Sequence, residues 1–203
     1  MSDWDNSRFV VLPVPFDATT SFQSGTRKGP KAVIEASAYI ELYDDELCME
    51  SADAGVHTLD QLDVTLNPEE VINKIESVIT EIVDAGKIPV TIGGEHSITF
   101  GVVKALNAKY NNLSVLQLDA HADLREEYQG TKWSHACVMR RISELGVNIT
   151  QAGIRSLSKN RLNKFFFKGL IPYLEENAFL CRNFVYLCLC VIFICKFFLF
   201  LPE

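Results

Sequence analysis

Leu113-Ser114-Val115-Leu116-Gln117-Leu118 runs directly into Asp119-Ala120-His121-Ala122-Asp123, so two carboxylates and an imidazole alternate just where a buried strand ends. On an extended backbone, alternate side chains project to one side. If extended geometry persists past the strand, Asp119, His121 and Asp123 converge on one point. Groups of this kind crowded together repel and desolvate poorly unless a cation offsets them. Carboxylate oxygens with imidazole and no thiolate favour a hard or borderline divalent ion such as Mn²⁺, with Zn²⁺ and Fe²⁺ disfavoured. The competing reading is a polar loop with solvated acids.

A second stretch weakens that competitor. Lys87-Ile-Pro-Val-Thr-Ile92 reads as another short buried strand, followed by Gly93-Gly94-Glu95-His96-Ser97 and a helical segment over 98–109. His96 therefore also stands at a strand's carboxyl end. In parallel α/β sheets such ends fall on one edge, where ligands bind. The two glycines allow a sharp turn and close backbone approach, and Ser97 is placed to cap the helix. Alone, His96 reads as a hydrogen-bonded histidine; beside the Asp-x-His-x-Asp segment it reads as a ligand.

The alternation extends along the chain. Phe9–Val14 is expected as a strand, and Pro30 opens a helix to about Tyr43 with Val33, Ala36, Ile40 and Tyr43 on one face. Asn67-Pro68-Glu69-Glu70 starts the clearest helix: Asn67 caps, Pro68 suits the first position, and Glu70 completes a capping-box-like pair. Val71, Ile72, Ile75, Val78, Ile79, Ile82 and Val83 form its core stripe, and Gly86 ends it. A strand over 113–118, a helix near 135–145 ended by Gly146 and a strand over 147–153 follow. There is no internal repeat. Such alternation predicts a parallel sheet with helices on both faces.

With 203 residues the chain is long enough for one domain with a substantial core. Its net charge of -7 and the absence of Lys/Arg clusters argue against nucleic-acid binding, and suit a cationic substrate. The amino terminus carries no secretory pattern, and the cysteines fit a reducing, cytoplasmic setting: Cys48 and Cys137 stand alone in the first 165 residues, while Cys181, Cys188, Cys190 and Cys195 crowd into the tail without paired metal-ligand spacing. His57 is expected to be a surface or loop histidine.

Together, Gly93-Gly94-Glu95-His96-Ser97 and Asp119-Ala-His-Ala-Asp123 resemble the ureohydrolases, the arginase and agmatinase family. Pro15-Phe16-Asp17-Ala18-Thr19-Thr20 with Gly25-Thr26-Arg27-Lys28-Gly29-Pro30 looks like that family's amino-terminal segment, its agmatinase branch in particular. Ser134-His135-Ala136 and Gln151-Ala152-Gly153-Ile154-Arg155-Ser156 match in order, so the resemblance covers residues 8 to 160. It implies an arginase-like three-layer αβα fold with a mostly parallel sheet, truncated at the carboxyl terminus. It also implies a manganese hydrolase that cleaves a guanidinium group and releases urea, most closely agmatine to putrescine in polyamine biosynthesis. By the resemblance, His96, Asp119 and Asp123 hold one Mn²⁺, His121 and a bridging Asp119 hold a second, and hydroxide between them attacks. His135 matches the family's active-site histidine and is assigned proton transfer, although a histidine opening a helix also serves as a cap. Phe16, Asp17 and Thr20 fall near the family's pocket. Arg125 disfavours arginase itself, where asparagine is usual. Relatives are commonly trimers or hexamers.

Beyond about residue 160 the resemblance stops. The family's Asp-x-Asp-x-x-Asp-Pro motif, whose first two acids complete both metal sites, has no counterpart here, so the second site is expected to be incomplete. Residues 1–160 thus read as the amino-terminal part of a ureohydrolase domain, and 161–203 as an atypical apolar tail. Phe184 to Leu201 reaches the length of a membrane span. A truncated gene model or read-through product is preferred to a tail anchor, because the preceding domain looks cytosolic. Two alternatives to an active enzyme follow: a catalytically impaired homologue acting through association, and a tail-anchored membrane protein.

Overall fold

A computed structural model of the chain describes residues 2–156 together with the backbone of Val191–Cys195. The chain divides into two compact units, Met1–Lys109 and Tyr110–Glu203.

In the first unit, strand β1 (Phe9–Val14) is flanked in parallel by β4 (Val56–Thr58) and β5 (Ile88–Gly93). Val10, Leu12 and Val14 alternate into the core, as a period of two requires. The most regular helix, α2 (Pro68–Asp84), begins where expected: Asn67 Oδ1 accepts the backbone N–H of Glu69 at 3.0 Å. Glu70 does not close a capping box on the backbone; its carboxylate instead receives Asn67 Nδ2 at 3.2 Å and the Thr65 hydroxyl at 2.9 Å. Val71, Ile72, Ile75, Ile79, Ile82 and Val83 are buried, and full burial of each contributes about 1.5–3 kcal/mol. This stripe packs on α3 (Thr99–Lys109) and on β5. The helices approach closely because Gly101 has no side chain; a Cβ there would lie 2.6 Å from the Ile72 carbonyl oxygen.

Two expectations are corrected in this unit. Helix α1 spans Gly29–Ser37 and stops well short of Tyr43. Val33, Ile40 and Tyr43 are exposed, so among the described residues the apolar stripe has no surface to bury against, and an amphipathic stripe sustains a helix mainly through such packing. Tyr43 instead enters β2 (Tyr43–Asp44), paired antiparallel with β3 (Met49–Glu50). His57 lies on β4 rather than in a loop, its Nδ1 3.1 Å from the Ser2 carbonyl oxygen and its ring edge-on to Trp4.

In the second unit, β6 (Ser114–Leu118) pairs in parallel with β7 (Asn148–Ala152) and antiparallel with β8 (Val191–Cys195). Helix α4 (Val138–Glu144) lies between β6 and β7 in sequence and buries Val138, Met139 and Ile142. Most of the 184–201 stretch lies outside the described residues. Its five described positions form a strand, and among the described residues no helix is long and apolar enough to cross a membrane.

Candidate functional site

His96 is set by the turn that follows β5. A Cβ on Gly94 would lie 2.4 Å from the Phe16 carbonyl oxygen and 3.0 Å from the Arg27 nitrogen, so only glycine lets this backbone cross the amino-terminal segment. The crossing is tied by Glu95, whose carboxylate accepts Thr19 N–H at 2.8 Å and the hydroxyls of Thr19 and Ser97, both at 2.5 Å. Ser97 therefore points back to Glu95 and does not cap α3; a 3₁₀ turn over His96–Ile98 leads into that helix instead. His96 is buried.

The Phe16–Thr20 segment facing this turn is organised by Asp17, which is 4% exposed. Its carboxylate meets Arg27 Nε at 2.7 Å and accepts the N–H groups of Gly25 at 2.6 Å and Arg27 at 3.1 Å. Burial alone would raise the carboxyl pKa; the Arg27 side chain and the two backbone N–H groups outweigh it and hold Asp17 below the ordinary carboxylate value. Asp17 thus braces the 25–27 loop. Thr20 donates to the Asp17 carbonyl at 3.3 Å, and Phe16 is buried.

In the second unit, Asp119 leaves the end of β6 with its side chain only 2% exposed. Oδ1 accepts His121 N–H at 2.8 Å and lies 3.5 Å from His121 Nδ1, so the acid and the imidazole are brought together. The imidazole itself is 57% exposed. Beyond His121 the backbone does not stay extended, yet Asp119 and Asp123 still bring carboxylate oxygens within 4.8 Å of each other. Asp123 takes φ +49°, a left-handed conformation uncommon outside glycine, asparagine and aspartate. Its carbonyl turns toward the start of α4 and accepts Met139 N–H at 3.0 Å and Arg140 N–H at 3.3 Å. The 119–123 loop is thereby fastened to a helix amino terminus rather than continuing the strand.

Beneath the loop lie two buried glutamines that the sequence reading passed over. Gln117 and Gln151 are register partners on β6 and β7. Gln117 Nε2 donates to Asp119 Oδ2 and to the His121 carbonyl, both at 3.1 Å. Gln151 Nε2 donates to Gln117 Oε1 and, at 2.8 Å, to the Ala122 carbonyl. On the β7 side, Gly153 adopts φ +85°, and a Cβ there would sit 3.2 Å from the Asp119 carbonyl oxygen. Alternation toward opposite faces gives no hint of this pair; only strand register sets them side by side.

His135 opens a 3₁₀ turn over His135–Cys137 that leads into α4, and its ring stands edge-on to Tyr128 at 5.6 Å. Arg125 stacks over the same Tyr128, 5.1 Å from the ring centre. Cys137 is buried, with its sulfur 3.4 Å from Ser134 Oγ and 3.8 Å from the Thr131 carbonyl oxygen. The loop therefore offers carboxylates and an imidazole rather than thiolate, a donor set that fits a hard or borderline divalent ion.

Parallel strands ending in Gly-Gly-Glu-His and Asp-x-His-x-Asp are borne by a protein of the arginase family, whose profile matches residues 7–175; the chain belongs to that family. Within it, the N(1)-aminopropylagmatine ureohydrolase of Synechocystis sp. is 38% identical over 164 residues, covering 77% of this chain and 54% of the relative. The agmatinase of Pyrococcus horikoshii is 35% identical over 156 residues, 76% of this chain and 54% of that protein. Among solved structures, the agmatine ureohydrolase of Thermoplasma volcanium superposes with a TM-score of 0.72 at 35% identity, covering 78% of this chain and 54% of that one. The arginase-like αβα fold implied by the resemblance is thus the fold of its structural relatives. The chain spans about half the length of the curated relatives it matches.

Proposed function

We propose that His96, Asp119, His121 and Asp123 hold manganese and that the chain acts on the guanidinium group of a small cationic amine, agmatine in the first instance, yielding putrescine and urea. The observation that carries this reading is the Asp119–His121 pair at the carboxyl end of a parallel strand, with a buried carboxylate steered by glutamine and backbone donors. Further support comes from the Gly94 crossing, which braces His96 against the Phe16–Thr20 segment resembling the agmatinase branch. The relatives named after agmatine and aminopropylagmatine point to the same class of substrate.

Bound manganese would supply hydroxide near neutral pH and offset charge as the planar guanidinium carbon becomes tetrahedral. The chain's own groups do the rest. Asp119 and Asp123 provide oxygen ligands, and His96 and His121 provide imidazole nitrogen. A ring nitrogen of His135 passes a proton to the departing amine nitrogen, a transfer open to imidazole because its ring nitrogens can both carry and accept a proton. The net charge of -7 favours approach of a cation. A trimer or hexamer in the cytoplasm completes the reading.

The test uses the full chain with manganese, following urea release from agmatine and from N(1)-aminopropylagmatine, and Mn²⁺ uptake by electron paramagnetic resonance. Uptake that His96→Ala and Asp119→Asn abolish, with urea from either substrate, is the expected result. No uptake by the unaltered chain would remove the metal site, and uptake without urea from either amine would remove the activity.

A further inference from the structure

The four amide N–H groups of the buried glutamine pair are matched to acceptors around them, while Gln151 Oε1 has no hydrogen-bond partner among the described residues. Gln117 is fully enclosed and spends both amide protons, one on Asp119 Oδ2 and one on the His121 carbonyl. Its own oxygen receives Gln151 Nε2, whose remaining proton goes to the Ala122 carbonyl. Four N–H bonds thus meet four acceptors, and the orientation of both amides is dictated: three of those acceptors are a carboxylate and two carbonyls, none of which can donate. Buried amides held this way cannot rotate without stranding a polar group, which costs about 1–3 kcal/mol each. A core needing only apolar filling would carry leucine or valine at both strand positions; here the amide N–H groups are directed at the 119–122 loop and at each other.

We propose that Gln117 is a positioning residue for the metal site, with Gln151 holding it in place: Gln117 fixes the rotation of the Asp119 carboxylate and the path of the backbone that carries His121. This rests on the metal assignment proposed above. Partners of this kind, which orient ligands without touching the ion, alter metal affinity by about 10–100-fold when replaced. Gln117→Met keeps the volume and removes both donors. Gln117→Glu keeps the shape and sets a second carboxylate against the first.

The experiment compares Mn²⁺ affinity, by electron paramagnetic resonance titration, and thermal stability for the full chain and for Gln117→Met, Gln117→Glu and Gln151→Met. Expected is a 10–100-fold weaker affinity in Gln117→Met, a loss at least as large in Gln117→Glu, and a smaller one in Gln151→Met, each larger than any change in the folded fraction explains. A purely structural role would lower the melting temperature and leave the affinity of the folded chain unchanged, which would overturn the inference while leaving the metal site intact. Should Gln117→Met not fold, Gln151→Met decides: unchanged affinity there overturns the proposal. No uptake by the unaltered chain overturns both this inference and the reading beneath it.

Discussion

Asp17→Asn is expected to destabilise the first unit strongly at neutral pH and hardly at all in acid. The carboxylate is buried and engages one guanidinium nitrogen and two backbone N–H groups at 2.6–3.1 Å. Hydrogen bonds to a charged group contribute about 1.5–3 kcal/mol, and breaking a fully buried ion pair costs about 3–5 kcal/mol. The Arg27 side chain is 49% exposed, which moderates the ion-pair share, and asparagine keeps one acceptor oxygen. A loss of about 2–3 kcal/mol follows, which for a chain of this size lowers the melting temperature by about 4–12 °C. The sign of the pH dependence comes from the depressed carboxyl. The unfolded chain takes up the proton first as pH falls, so the stabilisation is fully present well above the unfolded value near 3.8. It shrinks through that value and is gone below the folded one. Urea unfolding followed by circular dichroism at pH 7, 5, 4 and 3 measures it. A difference between the two proteins that stays constant across that range would refute the assignment of Asp17 as an ionised brace.

Gly153→Ala and Gly86→Ala separate backbone strain from contact, since both glycines have positive φ but, among the described residues, only Gly153 has neighbouring atoms, those of the Asp119 carbonyl group, within 4 Å of an added Cβ. Gly86→Ala should cost about 1 kcal/mol and spare Mn²⁺ uptake, while Gly153→Ala should cost more and weaken uptake; equal effects in denaturation and titration would contradict this. His135→Asn should lower the rate of urea release about 10²–10⁴-fold with Mn²⁺ affinity unchanged, and a matched fall in affinity would make His135 part of the metal site rather than a proton carrier.

The elements whose signals are local were legible in the chain before any coordinates. Helix α2 is framed by Asn67, Pro68 and Gly86, and its stripe recurs every three to four residues, so the helix and its buried face follow from the chain alone. The strands Ile88–Gly93 and Ser114–Leu118, and the placement of His96 and the acid–imidazole triplet after them, follow from short apolar runs met by polar turns, although the first strand is not buried as expected: Ile88 and Val90 are exposed. What tertiary structure decided lies where one segment depends on another. Helix α1 stops at Ser37, where no described residue covers Val33, Ile40 and Tyr43. The three-residue β4 exists only through its pairing with β1. Asp123 turns left-handed because its carbonyl is drawn to the start of α4, which ends the alternation assumed for the triplet. Gln117 and Gln151, 34 residues apart, become one hydrogen-bonded support through strand register alone. Periodicity and capping act over a few residues and are written in the chain; satisfaction of buried polar groups is a relation between distant residues, and only the folded structure fixes it.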